Sequence, residues 1–400
     1  MDDQRSASRQ YSYWRYGDSM MDPLGPVAVI SQQLQPELAD SVNRKLRRIR
    51  QNFSNEFPEL KKLPGYLRQD YEIEVDLQRF NNGEGQATLL ESVRGHDVYI
   101  ITDVLNSGAF TIRNNSYEPL SPDEHYQDLI RLLGAMHGLA RRVNVILPYL
   151  FESRRYLRTN RGSMDCGLVL RQLFSMGIAN LITFDAHDTR VANAVPTKNF
   201  ESFPTTLPII ENVLERVPDL HIDKEHFMLI SPKETGISRA IYYATLMKVP
   251  LGTFYREHLA DGSISKAFLG EEIQGRDVMI VDDMIDSSQT ICECASYLKE
   301  HGAKRIFCAV SFAQFTKGYE LVNQAYDFGI IDKIFSTNLV YQPRALRAMP
   351  WFESVDMSAY LASVIDALNH NSSLSQLLSP EQRIVNILDR HNKRLAELAK

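Results

Sequence analysis

The chain has 400 residues, 44% of them apolar, with 50 acidic against 44 basic side chains and a formal net charge of −6. That length exceeds what one hydrophobic core usually serves, so two domains with appendages are expected. The acidic balance argues against a nucleic-acid surface, no apolar run reaches the roughly 18 residues of a membrane span, and four cysteines are too few for a disulfide scaffold, which together point to a cytoplasmic protein.

Residues 1–70 read as an N-terminal extension. Its start, Met1-Asp2-Asp3-Gln4-Arg5, lacks a secretory apolar core. Helical spacing follows through Leu38, Val42, Leu46 and Ile49, with Arg44, Lys45, Arg47, Arg48 and Arg50 as a basic stripe expected to be a solvated or interface-forming face. From Ile73 strands and helices alternate. Residues 72–80 and 86–91 read as strands around the turn Asn81-Asn82-Gly83-Glu84, and Val98 to Ile101 is a buried run. Ser121 with Glu124 three residues on predicts a capped helix through Leu129, Leu132 and Met136. A strand at 143–147, a basic loop bearing Arg154, Arg155, Arg158 and Arg161, a helix at 167–176 and a strand at 181–184 ending on Asp185-Ala186-His187-Asp188 complete a first domain, residues 71–215.

The second domain, residues 216–378, repeats the texture: a strand at 226–230 ending on Ser231-Pro232-Lys233, a helix at 237–247, a short strand at 251–255 and a polar stretch at 258–266 that reads as a flap. Further strands are expected at 305–310 and 333–336, a closing helix at 356–368, and an amphipathic helical tail at 379–400. Repeated βα units predict α/β architecture, with mainly parallel sheets flanked by helices. The most informative stretch is Val278-Met279-Ile280-Val281-Asp282-Asp283-Met284-Ile285-Asp286-Ser287-Ser288-Gln289-Thr290. An apolar run ending on carboxylates reads as a buried parallel strand with chemistry at its carboxyl end, and Thr290-Ile291 opens a helix. Free N–H groups at such a helix start cradle a phosphate, while the carboxylates reach sugar hydroxyls or a cation. Cys292 and Cys294 sit two apart on that helix and diverge, so buried thiols are expected rather than a metal pair.

These residues carry a resemblance to the ribose-phosphate pyrophosphokinase (phosphoribosyl pyrophosphate synthetase) family over roughly residues 76–378. Its markers are Phe80-Asn81-Asn82-Gly83-Glu84, Glu91-Ser92-Val93-Arg94-Gly95, Pro148-Tyr149, Asp185-Ala186-His187, Ser231-Pro232, Val281-Asp282-Asp283-Met284-Ile285-Asp286, Ser336-Thr337-Asn338 and His370-Asn371-Ser372-Ser373-Leu374-Ser375. The resemblance implies two phosphoribosyltransferase-like domains and a homo-oligomer built from dimers, up to a hexamer. It also implies Mg²⁺-dependent transfer of the ATP β,γ-diphosphoryl group to the 1-hydroxyl of ribose 5-phosphate.

By the same resemblance Phe80, Asn82 and Glu84 bind adenine together with Arg154 of another chain, and His187 binds ATP and Mg²⁺. Asp282, Asp283 and Asp286 bind ribose, Ser287, Ser288, Gln289 and Thr290 hold its phosphate, and Arg256 and His258 stand where the family has catalytic cations; Lys233, which has no counterpart there, is a third catalytic candidate from its charge alone. Three departures stand out. The family's phosphate loop usually reads Thr-Gly-Gly-Thr or Thr-Ala-Gly-Thr, against Ser287-Ser288-Gln289-Thr290 here. Its flap carries Asp-Lys-Arg-Arg, against Tyr255-Arg256-Glu257-His258. Its Ser-Pro is followed by an Asp, against Lys233, which either neutralises a phosphate directly or marks the loss of a metal ligand. Two rivals stay open: a non-catalytic regulatory paralogue, and a phosphoribosyltransferase.

Overall fold

The computed structural model describes residues 22–113, 116–136, 138–158, 160–258 and 264–398, so the polar start of the chain lies outside the described residues. The chain divides into two compact units. Unit 1 takes in the described residues through Pro204, plus Leu339–Tyr341 and Met357–Ser379; unit 2 takes in Thr205–Asn338, Gln342–Asp356 and the residues from Pro380.

Unit 1 begins with β1 (Val27–Gln32) and α1 (Pro36–Glu56). The hairpin β2 (Val75–Arg79) and β3 (Gly85–Leu89) follows, then β4 (Asp97–Thr102). A second hairpin, β5 (Phe110–Arg113) with β6 (Ser116–Pro119), leads to α2 (Pro122–Ala135), where Ser121 and Glu124 form the expected capping box. After it come β7 (Arg142–Leu147), α3 (Asp165–Ser175), β8 (Asn180–Phe184) and β9 (Asn199–Phe203). The order β1-β4-β7-β8-β9 is parallel throughout. One core joins Ile30, Ile100, Val145 and Leu181 of the sheet to Leu129 and Leu132 of α2 and Leu170 of α3.

The expectation that residues 1–70 form an appendage is overturned from Val27 on. β1 is an edge strand paired in register with β4, and α1 buries Leu38, Val42, Leu46 and Ile49. The basic stripe on α1 is also not uniformly solvated, because Arg50 is fully buried.

Unit 2 opens with α4 (Thr206–Arg216), which packs on the last two strands of its sheet. That contact places the division between the units at Pro204/Thr205 rather than after residue 215. Next are β10 (Phe227–Ser231), α5 (Ile237–Met247), β11 (Leu251–His258), β12 (Ile264–Leu269), β13 (Asp277–Ile285) and α6 (Gln289–Glu300). β14 (Ile306–Ala313), α7 (Glu320–Asp327), β15 (Lys333–Thr337), α8 (Arg344–Arg347) and β16 (Phe352–Val355) complete a sheet of order β12-β11-β10-β13-β14-β15-β16. All neighbours in it are parallel except β11 and β12, which pair antiparallel. The strand expected over 251–255 therefore continues to His258, and the centre of the expected flap, residues 259–263, lies outside the described residues.

The chain then returns to unit 1 with α9 (Ser358–Asn369), all of whose residues are buried, and the short α10 (Ser375–Leu378). α9 packs along α1, and Tyr360 stands edge-on to both Phe184 of β8 and Phe203 of β9. Residues 357–379 thus belong with the first unit, not with the second as the sequence suggested. The tail helix α11 (Glu381–Leu398) buries Ile384, Leu388, His391 and Leu395, packs on α4 and α5, and bonds His391 Nε2 to the Leu220 carbonyl at 2.8 Å.

Candidate active site

β13 is the middle strand of unit 2, and all nine of its residues are buried. Both faces being covered, Val278 to Val281 can be apolar without a break, and polar groups enter only where the strand emerges. There Asp282 and Asp283 stand side by side, 4% and 7% exposed. The Asp283 N–H donates to Asp282 Oδ1 at 2.9 Å. Two carboxylates in so dry a place need a counter-charge. Lys233, just past the end of neighbouring β10, provides it: its Nζ lies 3.0 Å from Asp282 Oδ2 and 3.8 Å from Asp283 Oδ1. Burial, and then the adjacent Asp283, push the Asp282 carboxyl up to about 6 against the pull of the Lys233 ammonium. The Ser231 hydroxyl donates to the Lys233 carbonyl at 2.8 Å and fixes the turn that aims the lysine.

Beyond the carboxylates the chain turns into α6. Asp286 is held by the loop after β14, where the Thr316 N–H donates to its carbonyl at 2.8 Å and the Thr316 hydroxyl to its carboxylate. Ser288 caps the helix with φ of 64°, a left-handed conformation that favours glycine. Its hydroxyl is buried and has no hydrogen-bond partner among the described residues. Gln289 is exposed and donates from Nε2 to Glu293 along the helix, leaving the cradle to backbone N–H groups and hydroxyls. The first-turn amides of a helix have no partner within it and carry the positive end of its dipole, a setting at Ser287 to Thr290 that suits an anion.

Arg256 and His258 lie on β11, opposite Lys266 and Ile264 of β12. Their side chains, which the sequence singled out, are outside what the structure describes.

In unit 1 the hairpin turn between β2 and β3 carries Phe80, Asn82 and Glu84. Asn82 Nδ2 donates to Glu84 Oε2 at 2.9 Å, the Glu84 N–H donates to Asn82 Oδ1 at 3.1 Å, and the Phe80 ring is 48% exposed. That hairpin is a two-stranded sheet of its own. Arg154 and His187 instead follow β7 and β8, which are neighbours in the parallel sheet. The His187 ring lies 5.9 Å from that of Tyr156, over which the Arg190 guanidinium is placed at 5.6 Å, itself held by Asp188 at 2.6 Å. The bonds from Arg190 hold the Asp188 carboxyl below its usual range. Tyr156, Arg190 and Thr316 were not singled out in the sequence as neighbours of these positions, and Thr316 is thirty residues from the aspartate it holds.

Among the described residues no three His, Cys, Asp or Glu side chains converge as a cation site. His187 offers one nitrogen, which suits an ion whose other ligands are phosphate oxygens. Beside Asp282 and Asp283 the positive charge is the Lys233 ammonium.

Two domain descriptions match the chain: the N-terminal domain of ribose phosphate pyrophosphokinase at residues 27–177, and the phosphoribosyl synthetase-associated domain at 266–379. The ribose-phosphate pyrophosphokinase of Chromobacterium violaceum is 28% identical over 314 residues, 77% of this chain and 88% of that protein. Ribose-phosphate pyrophosphokinase 2 of Schizosaccharomyces pombe is 24% identical over 310 residues, 76% and 89% of the two chains. The crystal structure of phosphoribosylpyrophosphate synthetase from Mycobacterium smegmatis matches the fold with a TM-score of 0.67 at 19% identity, covering 87% of this chain and all of that one. With both characteristic domains present and relatives aligned over most of its length, the chain belongs to the ribose-phosphate pyrophosphokinase family.

Proposed function

We propose that the protein transfers the β,γ-diphosphoryl group of ATP to ribose 5-phosphate, giving phosphoribosyl pyrophosphate and AMP. The observation that carries this reading is the buried Asp282–Asp283 pair at the end of β13, followed directly by the Ser287–Thr290 turn into α6. A carboxylate pair accepts hydrogen bonds from vicinal hydroxyls, and a helix start accepts a phosphate; ribose 5-phosphate presents both.

In this reading Asp282, Asp283 and Asp286 orient the sugar, and the amides and hydroxyls of Ser287, Ser288, Gln289 and Thr290 hold its phosphate. The half-exposed Phe80 ring is the stacking face for adenine, flanked by Asn82 and Glu84 and completed by Arg154 of a second copy, so the working form is a homo-oligomer. His187 would hold a Mg²⁺ ion brought by the triphosphate, and the ion would supply charge neutralisation at the phosphates. The sugar's 1-hydroxyl oxygen attacks the β-phosphorus, the bond from that phosphorus to the AMP oxygen breaks, and the hydroxyl proton leaves to solvent. Such transfers need alignment and fixed positive charge more than covalent help; Arg154 and Arg256 supply the charge, and His258 a further hydrogen-bond donor.

Asp283→Ala tests the sugar site: the KM for ribose 5-phosphate should rise by about tenfold or more while that for ATP stays nearly constant. An unchanged sugar KM would sink the assignment. A second reading, a paralogue that binds nucleotide without turnover, is favoured by one feature, the lysine turned onto the sugar carboxylates. Saturable nucleotide binding with no AMP release would establish it.

A further inference from the structure

The Lys233 ammonium stands 3.0 Å from Asp282 and 3.8 Å from Asp283, and about two thirds of its side chain is covered. It comes from the end of β10, the strand that pairs with β13, and its carbonyl is tied to the Ser231 hydroxyl, so it is anchored by the same sheet that carries the carboxylates. An ion pair on a surface would be weak evidence of anything. This one sits on a buried pair of like charges, where a counter-charge decides whether both carboxylates can be ionised. A magnesium ion bound to either carboxylate at its usual ~2.1 Å would stand within a few ångström of the ammonium, both cations competing for the same oxygens.

We infer that Lys233 is the permanent counter-ion of the Asp282–Asp283 pair, and that the sugar site of this protein therefore excludes divalent cations and takes ribose 5-phosphate without one. This rests on the reading of the carboxylates as the sugar site. Lys233 is then a positioning residue: it holds the two acceptors in place for the ribose hydroxyls, and the only divalent ion in the reaction arrives with the nucleotide. The departure from an acidic residue after Ser-Pro becomes an exchange of one kind of cation for another.

Two measurements on the full chain test this. The first is Mn²⁺ binding without nucleotide, followed by the loss of the free-ion paramagnetic signal in the wild type, Asp283→Asn, Lys233→Asp and Lys233→Met. No Mn²⁺ binding that depends on Asp283 is expected in the wild type. Lys233→Asp should gain a site that tightens binding by about tenfold or more. The second is calorimetric titration with ribose 5-phosphate in Mg²⁺ and in a chelator. Wild-type affinity should agree within about twofold between the two conditions, and Lys233→Met should bind more weakly and respond to Mg²⁺.

Ribose 5-phosphate bound by the wild type only with Mg²⁺ overturns the inference, as does Mn²⁺ held by the wild type and released by Asp283→Asn. No ribose 5-phosphate binding in either condition overturns the sugar reading itself, and the inference with it. The calorimetric comparison with and without Mg²⁺ uses the wild type alone, so misfolding of a substituted chain cannot rescue the idea.

Discussion

The left-handed Ser288 and the Asp282 carboxyl are the two residues whose surroundings are most at odds with their chemistry. A non-glycine residue at φ of 64° carries about 1–2 kcal/mol of backbone strain, and the Ser288 hydroxyl is buried without a hydrogen-bond partner among the described residues. Ser288→Gly should therefore raise the stability of the free protein by about 1 kcal/mol in thermal or urea unfolding, while raising the KM for ribose 5-phosphate, because in the proposed reading the lost hydroxyl is one of the phosphate's donors. A destabilised variant with an unchanged KM would contradict both parts.

Asp282 titrates near 6 in the fold against an ordinary 3.8. A raised folded pKa means the protonated form suits the fold: its stabilising contribution is complete below about 4 and is lost as pH rises through about 6. Sugar binding needs the opposite form, so affinity for ribose 5-phosphate should rise between pH 5 and 7. The sugar phosphate's own second ionisation, near 6, falls in the same window. The decisive comparison is therefore with Lys233→Met, which loses the ammonium that holds Asp282 down and should move the midpoint to higher pH. Superimposable profiles would refute this. The aspartates and the hydroxyl-rich turn were legible in the sequence because strand, carboxylates and helix start are contiguous. The direction of Lys233 and the clasp of Thr316 were not, because each depends on how strands distant in sequence are aligned.

Among the elements, α1 and α9 depend on each other through a buried charge. Arg50 Nε donates to Asp366 at 3.0 Å with both side chains fully covered, and the remaining guanidinium nitrogens reach the Tyr66 carbonyl and the Asn369 amide oxygen. Asn369 in turn donates to Asp97, which is gripped by Arg142 at 2.8 Å. Removing one partner leaves a charge uncompensated, so Asp366→Ala should cost about 3–5 kcal/mol in urea unfolding. A loss below about 1 kcal/mol would show that the pair is dispensable. The stripe of basic residues on α1 looked like one solvated face because helical periodicity gives the side of a helix, not what packs there. Arg50 lies beyond Ile49 on the turn that α9 covers, and its partner is 316 residues away. β1 was missed for a related reason. Val27 to Gln32 is a short apolar run without alternation, and only its parallel pairing with β4 makes it a strand. Capped or strongly periodic segments such as α2 and α11 were plain from the sequence, since their signals are local.

For the molecule as a whole, the repeated βα texture foretold two parallel-sheet units, and the structure has them. Their membership was harder to see, because the chain leaves unit 1 after Pro204 and comes back to it with α9. No helix among the described residues is long and apolar enough to cross a membrane. The central claim, that this family member still makes phosphoribosyl pyrophosphate with an altered phosphate loop and a lysine among its sugar carboxylates, is tested most directly by the release of AMP from ATP and Mg²⁺. That release should depend on ribose 5-phosphate in the purified protein and be lost in His187→Ala. Equimolar AMP and phosphoribosyl pyrophosphate from the wild type are the expected result; ATP left intact in the presence of ribose 5-phosphate, with nucleotide still bound, would contradict it.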